Sequence, residues 1–174
     1  MVKNNDPQPL SDIRIIDLTH GIAGPYCTKI LADFGADVIK IEKPDAGDYA
    51  RHIGPFPGDE KDIEKSGLFL YLNTNKRGVT LNFGTPTGMK ILTRLILHAD
   101  ILIQNFTPSA SENLGLSFPF LNKLNPQLIV TSITPFGQTG PYAHYRAGDL
   151  VVVAMGGNLA ATGEPGRPPV RPSL

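Results

Sequence analysis

The sequence has few of the residues that carry redox, metal or membrane functions. It contains one cysteine, Cys27, and no tryptophan in 174 residues, so no disulfide can form within the chain. Its four histidines lack the spacing of metal ligands, and we expect no metal site. No apolar run reaches the length of a membrane span, and residues 1–12 lack the pattern of a signal peptide. We expect a cytoplasmic protein with no membrane partner.

The charge balance excludes another class of partner. The chain has 16 basic and 16 acidic residues, and a balanced chain has no electrostatic footprint for nucleic acid. Charged residues make up only 18%, while glycine and proline number 18 and 16. This composition is typical of a globular protein rich in loops, with one core of good size.

One segment near the N-terminus indicates the fold. An apolar run at residues 13–18 ends in a polar, glycine-bearing turn at 19–24. A helix is predicted to begin at Pro25, with Tyr26, Ile30, Leu31 and Phe34 on its inward face. A second apolar run at 38–41 follows and ends in Glu42. Strand, loop, helix and strand in this order build parallel sheets, whose ligands bind at the carboxyl ends of the strands.

The remaining pattern continues this alternation. Further strands are predicted at residues 79–82, 101–103 and 128–131, and helices at 85–98 and 121–125. Continuous apolar strands are typical of a parallel sheet covered on both faces. We therefore predict an α/β fold with a Rossmann-like sheet. Near the end, Asp149 is placed to cap an apolar segment at 150–155, and a proline-rich segment occupies 162–172.

Several loops at the predicted binding edge have a functional and a structural interpretation. The Gly21–Pro25 turn fits either an anion at a helix N-terminus or a tight connection. Glu42 stands where a ribose-binding acid would, although the third glycine of that motif is missing. Asn105 and Phe106 fit either a flat ring or an ordinary turn. Lys76 and Arg77 fit either phosphate binding or a solvated pair. Gln138, between two glycines, fits an oxyanion site or a flexible linker.

Several longer motifs together resemble a known family. They are GADVIKIEKP at residues 35–44, NTNKRGVTLN at 73–82, ADILIQNFTPSASENLGL at 99–116, GQTGPY at 137–142 and GRPPVRP at 166–172. In this order they resemble the N-terminal part of the class III CoA-transferase family, whose members include formyl-CoA transferase, carnitine CoA-transferase and α-methylacyl-CoA racemase.

The resemblance implies a CoA-binding portion at residues 1–148 and the start of a connector to a second half at 149–174. It implies coenzyme A or acyl-CoA and a carboxylic acid as substrates, and an interlocked homodimer. By position, the residues carried over as CoA contacts are Ile22, Ala23, Lys43, Leu81, Asn82, Asn105, Phe106, Thr107 and Arg146.

The resemblance also implies a catalytic aspartate that forms an aspartyl–acyl anhydride, and it places this residue just after Leu174. No aspartate lies between Asp149 and Leu174, so we expect a truncated chain that is inactive by itself, with Asp149 and Gln138 as supporting residues. Racemases of the family carry a histidine before the acid at position 149, where this chain has Gly148. Transfer is therefore favoured over racemisation, and a non-catalytic nucleotide-binding module remains a further alternative.

Overall fold

The computed structural model of the chain describes residues 8–164 and 166–170. Part of the N-terminal segment and the end of the proline-rich segment lie outside the described residues. The chain forms two compact units that meet between residues 133 and 134. The domain boundary after residue 148 stays a prediction.

The first unit is built on a sheet of five parallel strands, which confirms the predicted α/β fold. The strand order is β3-β2-β1-β4-β5. The strands are Arg14–Asp17 (β1), Asp37–Glu42 (β2), Arg77–Thr80 (β3), Ile101–Gln104 (β4) and Ile129–Ser132 (β5). Strand β3 begins two residues earlier than predicted because Arg77 pairs with Ile39 of β2. Pairing with a neighbouring strand, rather than side-chain hydrophobicity, sets its start.

Apolar side chains cover both faces of the sheet. Ile16 of β1 packs in a cluster that also contains Leu92 and Ile96. Its neighbour Ile15 points the other way, into a cluster with Ala32 and Val38. Successive strand residues face opposite sides, so a continuous apolar run supplies both faces at once. The sheet that positions the strand ends is therefore packed against apolar side chains on both faces.

Six helices accompany the strands in the described part of the chain. They are Ala23–Asp33 (α1), Gly67–Leu72 (α2), Pro86–Leu97 (α3), Pro108–Asn113 (α4), Phe118–Leu124 (α5) and Asp149–Met155 (α6). The start of α3 was predicted correctly, since the hydroxyl of Thr85 accepts a hydrogen bond from the N–H of Gly88 at 3.1 Å. This contact satisfies one of the free N–H groups of the first turn.

Helix α1 differs from its prediction in two ways. It begins at Ala23 rather than Pro25, with Ile22 in the N-cap position. Its buried residues are Gly24, Pro25, Thr28 and Ala32, whereas the predicted inward residues Tyr26, Ile30 and Phe34 are exposed. Leu31 packs against the core as predicted. Small residues on the rest of the inner side let the helix lie close to the sheet, so the other three predicted side chains are turned outward.

The long segment at residues 45–66 forms a folded connection. It contains two short 3-10 turns, Tyr49–His52 and Pro57–Asp59. The carboxylate of Asp48 accepts a hydrogen bond from Ala50 N–H and fixes the first turn. Ser66 caps α2 by accepting from the N–H of Phe69 at 3.1 Å.

The second unit carries α6 and a 3-10 turn at Asn158–Ala161. Gly148 takes the N-cap position of α6, and Asp149 lies in the first turn, so the prediction of Asp149 as the cap is wrong. An acid there still interacts favourably with the helix dipole. Leu150 and Met155 are more than half exposed.

Within the described residues, no helix combines the length and apolar character needed to span a bilayer.

Candidate functional site

Three loops leave the sheet at the carboxyl ends of neighbouring strands. Residues 18–22 follow β1, residues 43–48 follow β2, and residues 105–107 follow β4. Because the three strands are parallel and adjacent, these loops share one edge of the sheet. Ligands of open α/β sheets bind in the crevice at this edge. A set of buried charged side chains holds the loops there.

Asp17, the last residue of β1, is the centre of this set. Its side chain is fully buried, and its carboxylate accepts from Thr19 N–H at 2.9 Å and from the Thr28 hydroxyl at 2.6 Å. Burial by itself raises the pKa of Asp17, but the charges of Lys40 and Lys76 outweigh it. The pKa of Asp17 therefore lies below its ordinary value, and the carboxylate is ionised at neutral pH.

Lys76 is the second member, and neither interpretation of the Lys76–Arg77 pair describes it. Its side chain is 1% exposed, and its ammonium donates to Asp17 at 3.1 Å, to the carbonyl of Pro25 at 2.8 Å and to Asn73 at 2.9 Å. Burial lowers the pKa of Lys76 to about 8, against the opposite effect of Asp17. Lys76 thus ties β1 to α1 from within, while Arg77 pairs with Asp37 at the surface.

A second buried ion pair joins β2 to the 45–66 segment. Lys40 donates to Asp48 at 2.8 Å, and both side chains are at most 2% exposed. Lys40 also donates to the carbonyl oxygen of Thr19. The other carboxylate oxygen of Asp48 accepts from the N–H of Gly21 at 2.8 Å. Asp48 therefore links the loop after β2 to the loop after β1.

Glu42 supports Asp48 and pairs with Arg51 through both of its carboxylate oxygens. One of its carboxylate oxygens accepts from Asp48 N–H and from the guanidinium of Arg51, each at 2.8 Å. The other accepts from Arg51 at 2.9 Å. Burial raises the pKa of Glu42, but the Arg51 hydrogen bonds outweigh it and lower the pKa overall. These contacts give Glu42 a structural role, and its interpretation as the ribose-binding acid of a dinucleotide motif gains no support from them.

Asn105 holds the loop after β1 from the opposite side. Its side-chain oxygen accepts from the N–H of His20 at 3.1 Å, and its amide nitrogen donates to the carbonyl of His20 at 2.8 Å. Burial and the nearby Lys40 charge lower the pKa of His20. The imidazole is therefore neutral at pH 7.

Gly21 is required in this loop. Its φ of +83° lies in the left-handed region, and a Cβ atom there would lie 1.8 Å from the hydroxyl oxygen of Tyr49. The Tyr49 ring therefore lies directly against the Gly21 backbone. A side chain at position 21 would be strained by its backbone and would also displace the tyrosine.

The structure brings most of the predicted CoA contacts to the shared edge. Ile22, Ala23, Lys43, Asn82 and Thr107 are exposed, while Leu81, Asn105 and Phe106 are half-buried. Leu81 and Phe106 pack against the core.

Phe106 and Thr107 also have structural roles. The Phe106 ring lies 6.2 Å from that of Phe83, and the Thr107 hydroxyl accepts from Ala110 N–H at the start of α4. Lys43 lines a cavity of about 250 Å³ together with Arg51 and Thr80, at the carboxyl ends of β2 and β3.

Arg146, Gln138 and Asp149 belong to the second unit, which starts at residue 134. None of the three is fully buried, since Arg146 and Asp149 are exposed and Gln138 is half-buried. Three aromatic residues of the same segment pack together. The ring centroid of Tyr142 lies 5.2 Å from that of Tyr145 and 6.1 Å from that of Phe136. Among the described residues, no group of acidic, histidine or cysteine side chains is arranged to hold a metal ion.

Sequence reasoning missed Asp17, Lys40 and Asp48. A signal was available, because Asp17 lies between Ile16 and Leu18, and Lys40 lies between Ile39 and Ile41. Charged side chains are almost never fully buried unless they are paired, so a charge inside a buried strand indicates a partner nearby. Asp48 had no comparable signal, since its loop is rich in polar residues.

The model of CoA-transferase family III matches residues 10–174 of this chain. Succinate–glutarate CoA-transferase of Agrobacterium fabrum is 43% identical over 96% of this chain and 42% of its own length. Acetyl-CoA:oxalate CoA-transferase of Acetobacter aceti is also 43% identical, over 94% of this chain and 41% of its own.

A crystal structure of a CaiB/BaiF family protein from Brucella suis superposes with a TM-score of 0.86 at 38% identity, over 97% of this chain and 44% of that one. The chain thus spans less than half the length of these relatives. The match over nearly all of its residues nevertheless places the chain in CoA-transferase family III.

Proposed function

We propose that the chain forms the CoA-binding part of an enzyme that moves CoA from an acyl-CoA to a free carboxylic acid. The observation that carries the proposal is the convergence of Ile22, Ala23, Lys43 and Phe106 on one sheet edge that buried ion pairs hold in place.

The residues at this edge suit the different parts of CoA. Ile22 is 47% exposed and offers apolar surface to the pantetheine arm. The N-terminus of α1, at Ala23, carries a partial positive charge that attracts phosphate groups. Lys43 adds a full charge beside the cavity at the ends of β2 and β3. Phe106 offers a half-buried ring to the adenine or the pantetheine arm.

The reaction proceeds through a carboxylate that attacks the thioester carbonyl carbon. A carbon–oxygen bond forms, the carbon–sulfur bond breaks, and CoA leaves as the thiolate, which gives a mixed anhydride. The family places the attacking aspartate after the proline-rich connector. The acceptor carboxylate then attacks the aspartyl carbonyl carbon of the anhydride, which releases the donor acid as its carboxylate and gives an aspartyl–acceptor anhydride. The CoA thiolate attacks the acceptor's carbonyl carbon, so the new thioester forms and the aspartate leaves as the free carboxylate. Succinate, glutarate and oxalate, which occur in the relatives' names, are the first acceptors to test.

Position 148 favours transfer over racemisation. Racemases of the family carry a histidine there as a proton-transfer group, and this chain has Gly148. An exchange assay in D₂O with a chiral 2-methylacyl-CoA and the complete enzyme separates the two reactions. Transfer predicts no deuterium at the carbon next to the thioester, and incorporation at that carbon would establish racemisation.

The CoA-binding proposal is tested by calorimetric titration of CoA into the 174-residue chain and two variants. Ile22→Glu places an acid at the proposed contact, and Leu97→Glu places one at the C-terminal end of α3, near the opposite edge. The two positions are matched, with exposures of 47% and 46%. We expect Ile22→Glu to weaken binding by about tenfold or more and Leu97→Glu to leave it unchanged. Equal affinities for both variants, or no binding by the wild type, would reject this edge as the CoA site.

A further inference from the structure

Two side chains from different loops hold the backbone of His20 and Gly21. Asn105 accepts from His20 N–H at 3.1 Å and donates to His20 carbonyl oxygen at 2.8 Å. Asp48 accepts from Gly21 N–H at 2.8 Å. With the bond from Lys40 to the Thr19 carbonyl, both groups of two consecutive peptide units, Thr19–His20 and His20–Gly21, are tied to other parts of the fold. The next residue, Ile22, is the first of the proposed CoA contacts.

Asp48 is itself fixed and does not face solvent. It is 0% exposed, and its carboxylate also accepts from Lys40 at 2.8 Å and from Ala50 N–H at 2.9 Å. Its own N–H donates to Glu42 at 2.8 Å. A carboxylate with these partners has a single orientation, so it imposes a fixed position on the Gly21 peptide.

Asn105 has the same character on the other side. Both polar atoms of its amide bind the backbone of His20, one its N–H and the other its carbonyl oxygen. This two-point contact fixes the orientation of the amide. A ligand that needed the amide would have to share or displace these bonds. The geometry therefore assigns the side chain to the loop rather than to the nucleotide.

We propose that Asn105 and Asp48 are positioning residues that clamp His20–Gly21 and so place Ile22 and Ala23 for CoA, without contacting CoA themselves. This inference rests on the proposed CoA site. A loop that is already ordered in the free protein pays less entropy on binding. The clamp therefore raises the affinity for CoA by ordering the loop in the free protein. Loss of the clamp should make the loop more mobile even before CoA is added.

The test measures two quantities on the 174-residue chain: hydrogen exchange of the His20 and Gly21 amides without ligand, and the dissociation constant for CoA. Asn105→Ala is expected to speed exchange at His20 and to weaken CoA by about tenfold, because both hydrogen bonds that order this part of the loop are lost. Asp48→Asn, which removes the charge that pairs with Lys40, is expected to speed exchange at Gly21.

Asn125→Ala is the matched control. Asn125 also donates its amide to backbone carbonyls, those of Ile96 at 3.2 Å and Ala99 at 3.0 Å, but in the segment that precedes β5, away from the binding edge. We expect it to lower the melting temperature without changing exchange at His20 or the affinity for CoA.

Asn105→Asp keeps the acceptor for His20 N–H and loses the donor to the His20 carbonyl. Protonation of the new carboxyl restores a donor, so its affinity relative to the wild type should recover as the pH falls. If Asn105→Ala does not fold, the pH dependence of Asn105→Asp tests whether Asn105 acts by holding His20.

Weaker CoA binding with unchanged His20 exchange would make Asn105 a direct CoA contact and overturn the inference. Unchanged affinity with faster exchange would show that the clamp is irrelevant to binding and would also overturn it. If the wild type shows slow exchange at both amides and does not bind CoA, the proposed function has failed, and the positioning role toward CoA falls with it.

Discussion

Replacing Lys76 by methionine tests whether a buried charge joins β1 to α1. The ammonium donates to Asp17, to the Pro25 carbonyl and to Asn73 at 2.8–3.1 Å, and the side chain is 1% exposed. Lys76→Met leaves the Asp17 carboxylate buried without this partner. Removing one member of a buried ion pair typically costs about 3–5 kcal/mol.

The adjacent residue provides a matched control. Arg77 pairs with Asp37 at 2.6 Å, but its side chain is 63% exposed, and exposed ion pairs contribute about 0–1 kcal/mol. Arg77→Met keeps a similar apolar stem and removes only that surface pair. We therefore expect the two variants to differ by about 3 kcal/mol in the free energy of unfolding.

The assay is urea unfolding at pH 7, where the Lys76 amine, with its pKa lowered to about 8, is still protonated. With a slope of about 1–3 kcal/mol per molar urea, the midpoint for Lys76→Met should fall by roughly 1–3 M and that for Arg77→Met by much less. Losses below about 1 kcal/mol for both variants would refute the structural role of this pair.

The remaining predictions concern pH, CoA binding and activity. The pKa values of Asp17 and Glu42 are lowered in the folded chain. Both ionised groups therefore stabilise the fold above their ordinary pKa, and the free energy of unfolding should fall as the pH drops below about 4. Urea midpoints from pH 7 to pH 3 check this, and a flat profile would contradict it. Lys43→Ala should weaken CoA binding and make it less dependent on salt, whereas Lys123→Ala, on the helix before β5, should do neither; calorimetry at two salt concentrations measures both. Phe106→Ala should weaken CoA binding by about 1–3 kcal/mol if the ring stacks, with unchanged salt dependence, and a change in salt dependence alone would argue against stacking. We expect the 174-residue chain by itself not to transfer CoA from succinyl-CoA to glutarate, because the proposed reaction needs an aspartate that the family places after the proline-rich connector; new glutaryl-CoA above background on chromatography would disprove this.

The alternation of strands and helices, the parallel sheet and the edge proposed to bind CoA could all be predicted from the sequence. Apolar runs and turn residues are local signals, and parallel strands joined by helices leave few arrangements open. The family motifs added the proposed ligand and nine candidate contacts, eight of which follow strands of the first unit. Strand β3 and helix α1 were less well predicted, because strand pairing and close packing against the sheet decided their boundaries and faces.

Which polar residues are buried, and which groups they bind, could be seen only in the folded chain. Lys76 and Arg77 are neighbours in sequence, yet one side chain is 1% exposed and the other 63%. Glu42 and Asn105 looked available to a ligand in the sequence. In the structure, Glu42 accepts a hydrogen bond from Arg51, and Asn105 donates one to the carbonyl of His20. These partners lie 9 to 85 residues away along the chain. A polar residue's partner depends on which distant segment folds against it, and the local sequence carries no record of that segment.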